Sequence, residues 1–210
     1  MPKLDDLLSD LANFDAQHDL QGLRKTRETI VSEHPDSEAA VEALYKIGLD
    51  HLFRERDLVA AVARFEEAAK RKHPFWSSAA RTSLGLCYHH QGRGQKALLE
   101  LRKVAYPETP TSHSVTALGF IESIADQSGQ PDEAKRARKD RIKQLEVLID
   151  SARSRGQASE RGFYLYTLAL ALRDQGIDEE SAKTMLAEAR DLGPEALGAD
   201  LFRAVVSALG

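Results

Sequence analysis

A chain of 210 residues with 29 Lys+Arg against 33 Asp+Glu carries a formal net charge of −4, the wrong sign for a general nucleic-acid binder. Hydrophobic residues at 42% and charged residues at 30% describe a folded protein rather than a disordered one. Cys87 is the single cysteine, which excludes an internal disulfide and a thiolate metal cluster.

Ala, Leu, Arg and Glu are the commonest residues and β-branched runs are nearly absent, so the composition favours helices and leaves little for a sheet. No apolar run approaches the ~20 residues of a membrane helix. The start, Met-Pro-Lys-Leu-Asp-Asp, has no signal-peptide core, and the expected location is cytoplasmic.

In chain order, Leu4, Leu7, Leu8, Leu11 and Phe14 recur on one helical face. Gly92, Gly129 and Gly176 each close an apolar-periodic stretch, as a left-handed terminal residue does. Pro74, Pro110, Pro131 and Pro194 stand where new helices begin, with Thr109 as a cap before Pro110. The spacing predicts about eleven helices, at 4–14, 18–34, 37–53, 58–72, 75–91, 94–105, 111–128, 131–154, 158–175, 178–191 and 195–208.

Superposed, these segments repeat. Leu84-Gly85 precedes Ala97, Leu101 and Val104, and Leu118-Gly119 follows it by 34 residues. Ile47-Gly48 lies 37 residues before, ahead of Ala61, Phe65 and Ala68. Leu168-Ala169 precedes Ala182, Leu186 and Ala189. The small residues mark close helix crossings, and Phe65, Leu101 and Leu186 fill the space between.

On these residues the chain resembles the tetratricopeptide repeat family, whose unit is an antiparallel helix pair of about 34 residues. The resemblance implies an all-α, right-handed helical-hairpin solenoid occupying 1–210 as one domain. Its parts would be a degenerate pair at 1–38, repeats at 39–75, 76–110, 111–158 and 159–194, and a capping helix at 195–210. The third repeat departs from the pattern. Arg138 and Arg141 stand where a large and a small apolar residue belong, and the second helix runs on through Ile149 and Ala152.

In this family the first helix of each pair lines a concave face that binds peptides. The residues flanking the packing positions there are Glu42, Tyr45, Leu49 and Leu52, then Thr82, Leu86 and His89, then His113, Thr116, Phe120 and Ser123, and last Phe163, Tyr166, Leu170 and Arg173. The partner-binding set is Tyr45, Leu49, Leu86, His89, Phe120, Phe163, Tyr166 and Arg173. Its apolar character fits a groove for a helix or extended segment of a partner, or burial as core. The Lys–Asn–Arg carboxylate clamp of some family members is missing, since Leu49, Leu86, Phe120 and Leu170 occupy the Asn places.

Three other features point elsewhere. Lys135, Arg136, Lys139 and Lys143 form a basic stripe that fits an acidic partner or phosphates, or a solvated face. Cys87, His89 and His90 diverge around a helix and do not converge on a metal. Gly92-Arg93-Gly94 is a turn, with no preceding strand and no following Gly-Lys-Ser/Thr. No motif surrounds any Ser/His/Asp combination, so neither catalysis nor a cofactor is expected. The expected function is a non-catalytic protein-interaction scaffold, with self-association into a homo-oligomer as the alternative and nucleic-acid binding through the stripe as a third.

Overall fold

The computed structural model describes residues 2–173 and 176–209. Among them are twelve α-helices and no strand. The chain divides into two compact units, Met1–Val104 and Ala105–Gly210.

The first unit holds α1 (Leu4–Ala16), α2 (Leu20–Glu33), α3 (Glu38–Leu49), α4 (Leu58–Lys70), α5 (Pro74–His90) and most of α6 (Gly94–Ala105). Consecutive helices pack on one another from α1 through α5, and α3 also meets α5. The boundaries follow from local chemistry. Asp19, Ser37 and Asp57 accept backbone N–H groups at the starts of α2, α3 and α4. At α5 His73 does the same through Nδ1, 3.0 Å from Trp76 N, with Pro74 in the first turn.

Helix α3 was expected to run regularly to 53. Instead it widens into π turns at Asp50–Glu55, closed by Arg56 at φ 55°. The wider winding brings Asp50 to Arg27 of α2 at 2.9 Å and Glu55 to Arg24, with His51 Nδ1 2.7 Å from Glu55.

The packing pairs are as the small residues predict. A Cβ on Gly48 would lie 2.6 Å from the Phe65 ring, and one on Gly85 would lie 2.6 Å from Leu101 Cγ. Phe65, Leu101, Ala61, Ala68 and Ala97 are all 0% exposed. Only glycine lets these helices approach so closely.

The second unit holds α7 (Ser112–Gln127), α8 (Pro131–Ser154), α9 (Ala158–Arg173), α10 (Glu179–Asp191), α11 (Gly193–Leu197) and α12 (Ala199–Leu209). Packing again follows chain order from α7 to α10, after which α11 rests on α9 and α12 on α10. The cap of α7 is Thr111, not Thr109. Its hydroxyl accepts from Ser114 N at 3.1 Å while Ser114 Oγ accepts from Thr111 N at 3.0 Å, so Pro110 precedes the helix rather than opening it. The expected end of α9 at 174–175 lies outside the described residues.

The single terminal helix expected over 195–208 is two helices, broken at Gly198 with φ 76°. The break folds Leu197 back onto α9, where its side chain fills the space a Cβ on Gly162 would need. Val205 of α12 is 0% exposed in the same core as Leu165, Leu186 and Ala189. The fold is an all-α series of helical hairpins, tetratricopeptide-like in its close packing pairs.

Candidate binding site

The expected partner-facing residues sit on the first helix of each hairpin, beside fully buried neighbours. On α3 Ala43, Leu44 and Ile47 are buried, while Tyr45 and Leu49 keep part of their surface in solvent. On α5 Leu86 and His89 are half-buried, whereas Thr82 is 6% exposed and its hydroxyl donates to Ser78 O at 3.0 Å. Thr82 therefore belongs to the core.

In the second unit Phe120 and Tyr166 are half-buried and Phe163 is 48% exposed. Tyr166 packs one side against the core of that unit. Arg173 is exposed, and its guanidinium donates to Ala208 O at 2.9 Å, which ties α9 to the end of α12. His113 is half-buried, and burial pulls its imidazole below the usual histidine range.

The first unit adds an aromatic group that sequence reasoning missed. Tyr45 lies 5.6 Å from the Trp76 ring centroid and 5.8 Å from that of Phe65. Phe75 meets Trp76 edge-on at 4.8 Å, and Lys46 Nζ stands 5.7 Å above the indole. Trp76 lies in the first turn of α5, ahead of the repeat's recognisable positions, so no spacing signalled it. A groove of about 280 Å³ opens nearby between α1, α2 and α3, lined by Leu11, Leu23 and Ala43 with Arg27, Glu42 and Lys46 at its edge. Glu42 was expected on this face.

Two groups with reactive side chains lie in the core of the first unit. Cys87 is 0% exposed, and burial pushes its thiol up to about 11. Tyr88 donates to Glu66 at 2.6 Å, and burial followed by that hydrogen bond pushes its phenol up to about 12. Among the described residues no three His, Cys, Asp or Glu side chains are grouped as metal ligands. On α8 Lys135, Arg136, Lys139 and Lys143 are exposed. Among the described residues no helix is long and apolar enough to cross a membrane.

No protein-family model matches the chain. No curated protein matches it either. Among solved structures, the chain is similar to the crystal structure of MamA, at 16% identity and a TM-score of 0.48, over 86% of this chain and 92% of that one.

Proposed function

We propose that this chain is a non-catalytic scaffold that holds a peptide or helix of another protein against its first helices, in the cytoplasm. The observation that carries the reading is the partial burial of large side chains on the first helices, next to positions that are almost wholly covered. Tyr45, Leu49, Leu86 and Phe120 each keep surface in solvent beside neighbours that keep almost none. The half-seated rings of Tyr45 and Phe120 are rigid and lose little entropy on contact, the character of an interface anchor. His89, Phe163, Tyr166 and Arg173 extend the set, Phe163 being the most exposed of its aromatic members.

Trp76 supplies the test in the first unit, because it is the only tryptophan and touches Tyr45. A partner recovered from the native host by affinity capture should shift the Trp76 emission on titration. Tyr45→Ala should weaken its binding by about tenfold or more. In the second unit Phe120→Ala and Tyr166→Ala should do the same, with helicity and melting largely kept. If these variants retain the partner at wild-type affinity, the reading fails. If they unfold, the residues are core.

Self-association is the second reading, favoured by Val59 and Phe53, which are 76% and 68% exposed. Light scattering at tens of micromolar decides it: a strict monomer removes this reading.

A further inference from the structure

The residues that line the first helices leave a second depression unexplained. A groove of about 530 Å³ lies in the second unit between α8 and α10, floored by α9. Leu165 and Leu168 of α9 lie beneath it. At 100° per residue their common direction is roughly 160° from that of Phe163 and Tyr166, so the groove is on the other side of α9 from the proposed partner-binding residues.

The walls are built from helical spacing. Glu146, Ile149 and Asp150 face it from α8, and Glu180, Met185 and Glu188 from α10. The floor is apolar, with Ile149, Leu165 and Leu168 almost wholly covered and Met185 half-open to solvent. The rim is acidic. Its four carboxylates are opposed in the lining by Arg153 alone, leaving three net negative charges.

Arg153 is already committed, at 3.0 Å from Asp150 and 3.1 Å from Glu188. Arg161 stands a further 3.8 Å from Glu188. Glu146 and Glu180, on opposite walls, have no ion pair among the described residues and are exposed. With no such partner, a carboxylate on each wall of an apolar trough gains from a cation placed beside it.

We infer that this groove docks a cationic amphipathic segment of a partner protein. One apolar side chain of that segment rests on Met185 and Ile149, and lysine or arginine residues on either side of it pair with Glu146 and Glu180. The flexible thioether of Met185 suits a contact that must accept more than one apolar side chain. The charges set orientation and the covered apolar surface supplies the attraction that salt does not screen. The site is separate from the first-helix face, so either can fail alone.

The test uses the full chain and a fluorescein-labelled helical peptide with leucines on one face and lysines on the other. Two control peptides replace its leucines by serine or its lysines by glutamate. The leucine–lysine peptide should bind with an affinity that falls as salt rises, and both controls should bind at least tenfold more weakly. Glu146→Lys with Glu180→Lys should reduce binding by about tenfold with an unchanged melting midpoint, because both side chains are exposed. Met185→Ser should reduce it further, while Tyr45→Ala should leave it intact. Equal binding by the serine control would mean that the peptide reads only the overall negative charge, and would overturn the proposal. So would full binding by the double charge reversal, or loss of binding in Tyr45→Ala.

Discussion

In the hairpins α3–α4 and α5–α6 a glycine meets a fully buried apolar side chain, Phe65 on Gly48 and Leu101 on Gly85. In α7–α8 the corresponding Gly119 meets a guanidinium, Arg141 Cζ lying 3.2 Å from where its Cβ would be. Arg138, at the position of Phe65 and Leu101, turns to α7 and reaches Glu122 at 2.7 Å and Asp126 at 3.6 Å. Arg141 completes the cluster at 3.7 Å from Glu122. The departure that made this repeat look weak is thus compensated, by an acid on the facing helix. The two solutions differ in kind. Burying Phe65 or Leu101 removes apolar surface from water and is favourable by itself. Burying Glu122 between two arginines first costs the solvation of all three, so the cluster fixes how α7 and α8 match more than it adds to stability.

The largest effect should come from breaking the apolar solution. Phe65→Ala leaves a cavity under Gly48 in a side chain with 0% exposure, and should cost about 3–5 kcal/mol in a denaturant titration. Breaking the polar solution should cost less, about 2–3 kcal/mol for Glu122→Leu, because Arg138 and Arg141 retain 20% and 23% exposure and recover some hydration. The sharper version replaces all three, Glu122→Leu with Arg138→Leu and Arg141→Met. If the triple variant regains most of the loss, the cluster is a matching device; if it falls further, the ions stabilise outright.

The glycines separate the two solutions on a smaller scale. Gly85→Ala forces a methyl to within 2.6 Å of Leu101 Cγ, a branch atom that cannot swing aside, and should cost about 1–3 kcal/mol. At Gly119 the obstacle is the flexible end of Arg141, and alanine gains up to about 1 kcal/mol of helix propensity. Gly119→Ala should be near neutral or stabilising by thermal melting. Equal losses at the two glycines would erase the distinction drawn between the hairpins.

What was legible in the sequence follows the same division. Gly48, Gly85, Phe65, Leu101 and Leu186 could be read because close packing imposes size at fixed spacing, and size is visible in one chain. Glu122 could not be matched to Arg138 and Arg141 because charge pairing works at several spacings and long side chains reach past their own turn. The break at Gly198 was hidden by Pro194 and by the continuing apolar period of α12, and Gly162 gave no hint that Leu197 returns to it. The acidic groove was invisible for a further reason. Its walls come from α8 and α10, whose charges look like ordinary solvated faces until α9 brings the two helices side by side.

Tyr88 offers the finest division, a polar tip inside the apolar set. It sits three residues after Gly85, 7% exposed, and its hydroxyl donates to Glu66 of α4 at 2.6 Å. Tyr88→Phe keeps the ring and removes only that bond, so the expected cost near neutral pH is about 1 kcal/mol. Its pH dependence supplies the signature. The folded phenol is pushed up to about 12, chiefly by burial, whereas an unfolded tyrosine ionises near 10. The unfolded state therefore releases its proton first. Wild-type stability carried by this group is complete below about pH 10 and declines as pH rises toward about 12. Urea titrations at neutral pH and near pH 11 should show the gap between wild type and Tyr88→Phe narrowing at the higher pH. A constant gap would mean that the hydroxyl ionises as freely in the folded protein as outside it, and that burial does not hold its proton.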